Sequence, residues 1–407
     1  MLGKYWSNQG TDKIMKVALV CPASLPATQF GGILFLCVDI AREISKSGHD
    51  VTIYTTDLDF ANNAKTFNKN LPRLETVQGF KINRTHVWFS FQLFYVNPGM
   101  SVQLQRDKPD IIHAIGVRSF QSFIAARVSK KLGIPLVISD QGGLTTHPDL
   151  QGSLIKKISY KLQNPMIKFV INQATKISVA NEYEKKIFLE FCDESKIVVI
   201  RNGISLDELY SDSVDFRKKY GISDRFVLFV GRFSTVKGVD TLLKAWALIN
   251  DAVRKQHTKL VIMGVDFGFE KKMISMIEEL MINDTVYVIK RPPRIDVISA
   301  YQECEFLVLP SRWELSPLTP LEGFAFKKPI ISTVAHGIPH TVTNGENAIL
   351  VEPENQKELG DAILKLLHDN DLRTRYGEAG HKLVKNTCNS NKMAEKTLEL
   401  YKEILNR

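Results

Sequence analysis

Apolar positions along this chain follow two rhythms. Short β-branched runs come first: VALVCP (17–22), VTIYTT (51–56), DIIHAI (110–115), IPLVISD (134–140), KISVAN (176–181) and IVVIRNG (197–203). Each is apolar on consecutive positions, as a strand covered on both faces must be. Longer amphipathic stretches separate them, such as IAREISKSGHD, where Gly48 reads as a helix stop. Repetition of strand and helix predicts a parallel sheet with helices on both sides. The rhythm then restarts with RFVLFVGR (225–232), KLVIMG (259–264), VYVI (286–289), CEFLVLP (304–310), KPIIST (328–333) and NAILVEP (347–353). Between the two series lie Arg201-Asn202-Gly203 and the polar stretch SLDELYSDSVD.

The division that follows is a loose extension at 1–15, a first domain at 16–205, a second at 206–385, and a closing helix at 386–407 that packs back toward the first domain. The expected fold class is α/β, with two doubly wound Rossmann-like domains facing each other across a cleft. Ligands of such sheets sit at the carboxyl ends of the strands. No repeat of about 20–50 residues is present.

Composition narrows the class. A chain of 407 residues with 44% apolar and 24% charged positions is ordinary for a globular protein of two cores. The net charge of +9 favours an anionic partner. Five cysteines, none in a C-x-x-C pair, argue against a disulfide framework or zinc site and for a reducing compartment. The start, MLGKYWSNQGTDK, has no apolar core of a signal peptide, and no run approaches the ~20 apolar residues of a spanning helix. A cytoplasmic protein is expected, at most peripheral to a membrane.

Three stretches carry chemistry. VGRFSTVKG (230–238) turns from strand to helix at Gly231 and sets Arg232 and Lys237 around the turn, a favourable place for a diphosphate. Its lysine precedes Gly238 and Val239, so it is no Walker A loop. Gly31-Gly32 opens another helix, where backbone N–H groups can approach a ligand. ELSPLTPLE (314–322) holds Glu314 and Glu322. Pro317 and Pro320 forbid one continuous helix, so Glu314 belongs to a loop and Glu322 to the first turn of a helix starting near Thr319. Two readings of Glu322 stay open. It completes a capping box with Thr319 at the N-cap and Pro320 at N1, or it accepts hydroxyls of a ribose.

In their order along the chain, GG at 31, DIIHAI at 110, IRNGI at 200, VGRFSTVKG at 230 and SRWELSPLTPLEGFAFKKPIIST at 311 resemble the retaining glycosyltransferases of family 4, with the GT-B fold. The resemblance runs from about residue 16 to 405, and its most specific part is E-x7-E coupled to R-x4-K. It implies a nucleotide sugar, UDP-linked in the first instance, as co-substrate, with no cofactor. Arg232 and Lys237 would hold the diphosphate, Glu322 the ribose, Glu314 would face the sugar, and Gly31-Gly32 would close on the phosphates. The chain departs from the pattern in three places. Ser316-Pro317 replaces Phe-Gly, leaving phosphate contacts to the N–H groups of Leu318 and Thr319. His113 lacks its second histidine, which is Ile115. A frequent His-Gly is Gln141-Gly142. His113 and Gln141 remain candidates for sugar or acceptor contact, with a core histidine as the other reading of His113.

Asp57-Leu58-Asp59 matches a D-x-D metal motif but lies away from the diphosphate turn, and no catalytic metal is expected. From Gln151 to Asn181 there are five lysines and no acid, a basic amphipathic stretch suited to an anionic membrane surface or to plain solvent. The aromatic cluster VWFSFQLFY (87–95) is assigned to the core. The acceptor expected is a glycan or lipid-linked sugar in cell-surface polysaccharide or glycolipid assembly. Alternatives are a non-catalytic nucleotide-sugar-binding subunit and a GT-B-fold sugar-nucleotide epimerase. No nucleic-acid reader motif is present.

Overall fold

The computed structural model describes residues 13–61, 63–91, 93–142, 144 and 154–406, without the side chains of 154–157, 159 and 160. Most of the 1–15 extension, and residues 151–153 of the basic stretch, lie outside the described residues. Among the described residues two main sheets form, one per apolar series. The first has eight strands in the order Ile197–Val199, Lys176–Val179, Leu136–Ser139, Ile111–Ile115, Lys16–Val20, Asp50–Thr56, Phe80–Thr85 and Leu74–Val77. All its pairings are parallel except the last. The second has six parallel strands in the order Val286–Lys290, Thr258–Gly264, Arg225–Val230, Leu307–Leu309, Ile330–Thr333 and Ala348–Val351.

In each sheet the first strand lies inside, so the winding reverses beside it. In the second sheet this switch point falls between Arg225–Val230 and Leu307–Leu309. The loops after these two strands are VGRFSTVKG and PSRWELSP, the two stretches singled out by chemistry. A doubly wound sheet leaves a crevice at that point because consecutive helices depart to opposite faces.

The chain crosses between domains twice, side by side. The Ile204 N–H donates to Cys388 O at 3.1 Å, and the Ser390 N–H donates to Ile204 O at 2.8 Å. The second crossing leads into the helix Ser390–Ile404, which packs against Gly32–Lys46 of the first domain. There the Tyr401 hydroxyl reaches the His113 ring.

One expectation is overturned. Val87 and Tyr95 are buried, but Trp88 is 75% exposed, and Phe89, Phe91 and Leu93 also face out. The segment forms a two-stranded hairpin, Phe89–Phe91 with Phe94–Val96, that joins neither main sheet. Ser90 and Tyr95 pair across one face; on the other, Phe94 meets Phe120 while Phe89 and Phe91 stay exposed. The strands Leu74–Val77 and Phe80–Thr85 were not foreseen either: FKINRT is too polar to read as a buried strand, and it sits near the sheet edge.

The crossing itself is tight. A Cβ at Gly203 would lie 2.1 Å from the Asn389 carbonyl oxygen, so backbone, not a flexible side chain, would have to yield. Gly203→Ala should destabilise the fold by about 1–3 kcal/mol, read as a lowered thermal or denaturant midpoint. An unchanged midpoint would mean that the two crossings part without cost.

Candidate active site

The turn after Arg225–Val230 is held by Gly238, whose φ of +67° suits glycine and whose missing side chain leaves room for the Pro310 carbonyl, 2.0 Å from where a Cβ would stand. This brings the Thr235–Lys237 turn onto the loop after Leu307–Leu309. Lys237 then forms an ion pair with Glu314, whose Oε1 also accepts from Ser311 Oγ at 3.1 Å. Glu314 lies in a loop, and Glu322 lies inside the helix Thr319–Ala325, as the prolines require.

Glu322 does not close a capping box. Leu318, not Thr319, occupies the N-cap, and no side chain caps the helix. The carboxylate turns instead to the neighbouring helix Arg294–Glu303. Oε1 accepts from Arg294 Nη2 at 2.6 Å and Oε2 from the Tyr301 hydroxyl at 2.7 Å. Arg294 also reaches Glu208 Oε1 at 3.3 Å, and Glu208 Oε2 meets Arg42 Nη2 at 3.5 Å. Arg42, on the first domain, pairs with Asp39 at 2.7 Å. Burial would pull the Arg294 guanidinium down, but the Glu322 and Glu208 carboxylates outweigh it and hold the group above its ordinary range. Burial, reinforced by Glu322, keeps the Tyr301 phenol well above its usual value, so it stays a donor. Burial pushes the Asp39 carboxyl up to about 7 despite Arg42.

The first domain closes over this crevice. Arg232 donates from Nη2 to the Phe30 carbonyl at 2.6 Å, and its guanidinium lies 4.5 Å from the Phe267 ring centre. Burial lowers its pKa while Glu314 and Tyr95 oppose the change. Gly31 lies against the Arg232 guanidinium, and Gly32 against the Leu318 side chain. Thus Gly31, Gly32, Arg232 and Leu318 come together, with Thr319 opening the next helix. Arg291 clamps the same rim, donating to Phe60 O at 2.6 Å and Ala61 O at 2.8 Å. On the far side of the cleft Asn181 Nδ2 donates to Leu315 O at 2.8 Å, and Asn202 Nδ2 donates to Ser316 O at 3.3 Å.

His113 and Gln141 are placed otherwise than a sugar contact requires. His113 is buried, with Nδ1 at 2.6 Å from Tyr401 Oη and Nε2 at 2.8 Å from Ser139 Oγ. Burial pushes its pKa down to about 3, so the ring is neutral. The cavity beside it, about 20 Å³, has room for a water and not for a sugar ring. His113 is a core histidine. The Gln141 side chain makes a reciprocal amide pair with Asn202, both bonds 3.1 Å. Its backbone N–H donates to Glu184, whose carboxyl burial and the nearby Asp140 push up to about 8.

Asp57 and Asp59 serve the local chain. Asp57 meets His86 Nδ1 at 2.5 Å and the Val87 N–H at 3.1 Å, and Asp59 accepts from the Ala61 N–H. Among the described residues no group of three or more His, Cys, Asp or Glu side chains converges to hold a metal ion. The sequence reading missed Arg294, Tyr301, Glu208 and Arg291. The available signal was position: Arg291 and Arg294 follow the carboxyl end of Val286–Lys290, the same rim as Arg232.

Two facing parallel sheets with this crevice define a GT-B glycosyltransferase fold. Residues 30–208 match the family model described as Glycosyltransferase Family 4, and residues 212–383 match Glycosyl transferases group 1. The chain belongs to the family 4 glycosyltransferases and is an enzyme of that class. It is 23% identical to an uncharacterized glycosyltransferase of Methanocaldococcus jannaschii over 95% of this chain and 98% of that one. It is 29% identical to the capsular polysaccharide biosynthesis glycosyltransferase CapM of Staphylococcus aureus, over 62% of this chain and 67% of CapM. Among solved structures, sucrose-phosphate synthase from Thermosynechococcus elongatus superposes with a TM-score of 0.78 at 18% identity, covering 96% of this chain and 99% of that one. Anabaena HepE in complex with UDP-glucose gives 0.74 at 19% identity, covering 95% and 100%.

The pairing of Glu322 with Arg294 yields a direct test. Arg294→Met leaves a carboxylate that is 9% exposed without its cation, and should cost on the order of 3 kcal/mol in denaturant unfolding. Adding Glu322→Gln should recover part of that loss, because it removes the stranded charge. Simple addition of the two single losses would show that the residues are not coupled.

Proposed function

We propose that this glycosyltransferase moves a sugar from a UDP-sugar to a glycan or lipid-linked acceptor in cell-surface polysaccharide or glycolipid assembly, with retention at the anomeric carbon and no metal ion. The observation that carries the reading is the cluster of Arg232, Lys237 and Glu314 at the switch point of the second sheet, with Glu322 in the first turn of the helix that follows. Their remaining bonding capacity suits a nucleoside diphosphate sugar. Glu322 has two oxygens with one donor each, leaving lone pairs for two ribose hydroxyls. Arg232 and Lys237 have further N–H groups for diphosphate oxygens. The Leu318 and Thr319 N–H groups, ahead of Pro320 at the start of Thr319–Ala325, add to that cradle.

In this reading Arg232 and Lys237 stabilise negative charge growing on the departing diphosphate, and preorganised charge of this kind supplies most of the rate enhancement. Glu314, held by Lys237 and Ser311, faces the sugar. The acceptor oxygen attacks from the side the diphosphate leaves, so the anomeric configuration is kept. The UDP-glucose bound by Anabaena HepE and the capsule role in the name of CapM favour this donor and setting. The five free cysteines suit the reducing cytoplasmic side of the membrane. A second reading, a subunit that binds the donor without transferring its sugar, draws on the burial of His113 and on Pro317, which has no N–H for a phosphate.

Lys237→Ala should weaken UDP binding by about ten- to a hundredfold, since a charge-assisted contact is worth ~1.5–3 kcal/mol, and should leave uridine binding nearly unchanged. Calorimetric titration of both ligands checks this, and equal losses would remove the diphosphate assignment. Release of UDP from UDP-sugars with a panel of acceptors separates transfer from binding alone.

A further inference from the structure

The exposed aromatic hairpin has no role in the site described above. Trp88, Phe89, Phe91 and Leu93 are 75%, 60%, 44% and 43% exposed. Isolated surface apolar residues are ordinary, but a contiguous aromatic cluster marks an interaction surface. It does not stand alone. Phe94 of the hairpin meets Phe120 at 6.0 Å, Phe120 meets Phe123 at 6.4 Å, and Phe123 meets Phe169 at 5.8 Å. This ladder ties the hairpin to the helices Phe120–Leu132 and Leu154–Gln173. Both helices connect parallel strands of the first sheet, so they run in the same direction and begin at its carboxyl edge. Phe169, near the end of the longer helix, packs beside Phe123 and under Lys130. The first half of that helix therefore projects past its neighbour by roughly two turns. On the projecting part Ile158 and Leu162, one turn apart, are exposed, as is Lys161.

Charge identifies the occupant. The hairpin and the two helices contain Arg127, Lys130, Lys131, Lys156, Lys157, Lys161 and Lys168 and not one Asp or Glu. Aromatic and aliphatic side chains flanked by acid-free cations match a bilayer interface with anionic head groups: apolar groups enter the headgroup boundary and cations stay with the phosphates. We propose that this face of the first domain docks on an anionic lipid bilayer, with the hairpin inserting its aromatic tip. The inference rests on the acceptor being lipid-linked. It places the acceptor cleft, at the carboxyl edge of the same sheet, beside the membrane surface.

The full chain is mixed with vesicles of phosphatidylcholine alone and of phosphatidylcholine with phosphatidylglycerol in equal parts, and sedimented across a salt series. Binding to the anionic vesicles is expected at low salt and should fall as salt rises. Trp88→Ser with Phe89→Ser should lower the bound-to-free ratio at least tenfold, and Lys161→Glu with Lys168→Glu should abolish the preference for the anionic vesicles. Melting temperatures and UDP-induced stabilisation should match the parent for both variants, since these residues are exposed and remote from the crevice. Equal sedimentation of parent and aromatic variant overturns the proposal. So does sedimentation velocity showing a self-associated form that the aromatic variant dissolves, for then a second copy covers the face. Absence of UDP stabilisation in the parent would instead tell against the donor reading, and the vesicle result would stand apart from it.

Discussion

The site depends on how a nearly buried carboxylate finds its partners. Desolvating an ion costs several kcal/mol, and Glu322 meets that cost with Arg294 on one oxygen and the Tyr301 hydroxyl on the other. Arg294 needs compensation in turn and finds a second carboxylate in Glu208; Glu208 then faces Arg42, and Arg42 faces Asp39. The signs alternate along the whole row, from the second domain through the connecting segment to the first. Each guanidinium sits between two carboxylates, so loss of Arg294 strands Glu322 while loss of an end carboxylate still leaves Arg294 or Arg42 with Glu208. One electrostatic row therefore ties the orientation of the two domains to the position of the Glu322 carboxylate, while the flanking Phe35 ring, 4.6 Å from the Arg294 guanidinium, shields it on one side.

Much of this architecture was legible in the sequence because it depends on local rules. Continuous apolar runs mark strands covered on both faces, and Gly231 and Pro310 end two of them at the rim where a doubly wound sheet binds ligands. Pro317 and Pro320 were enough to separate the two glutamates into loop and helix. The capping box failed for a reason local pattern cannot carry. Thr319 lies inside the helix rather than before it, and a guanidinium 28 residues upstream outbids the backbone for Glu322. His113 illustrates the same limit: its partners are Ser139, 26 residues on in the next strand, and Tyr401 at the far end of the chain.

The aromatic segment went wrong differently. VWFSFQLFY has the composition of a core strand, and Val87 and Tyr95 are indeed buried. Whether the remaining rings are covered depends on whether the strand joins a sheet with a helix above it. It pairs only with itself, so Tyr95 and Phe94 find neighbours while Phe89 and Phe91 face outward. Alternation along a strand tells which residues share a face and says nothing of what lies opposite. The acid-free composition of the helices Phe120–Leu132 and Leu154–Gln173 was readable in advance, yet it gains meaning only when the hairpin is seen beside them.

Arg232 brings the two halves of the molecule to one point. Its guanidinium carries five N–H donors, of which one serves the Phe30 carbonyl, and its face rests on Phe267. Phe30 ends the turn before Gly31 and Gly32, so the cation at the switch-point crevice also fixes the first-domain backbone beside it. Lysine in that position would offer a point charge without the fork or the flat face, and would lose either the carbonyl bond or the ring contact. Arg291 repeats the device at the outer rim with Phe60 O and Ala61 O, and with the Phe60 ring 6.0 Å away. Arginine, carbonyl and phenyl ring recur as a unit at both places. At these two places the second domain's guanidinium groups hold first-domain main chain, whereas on the far side of the cleft the first domain's Asn181 and Asn202 side chains hold main chain of the second.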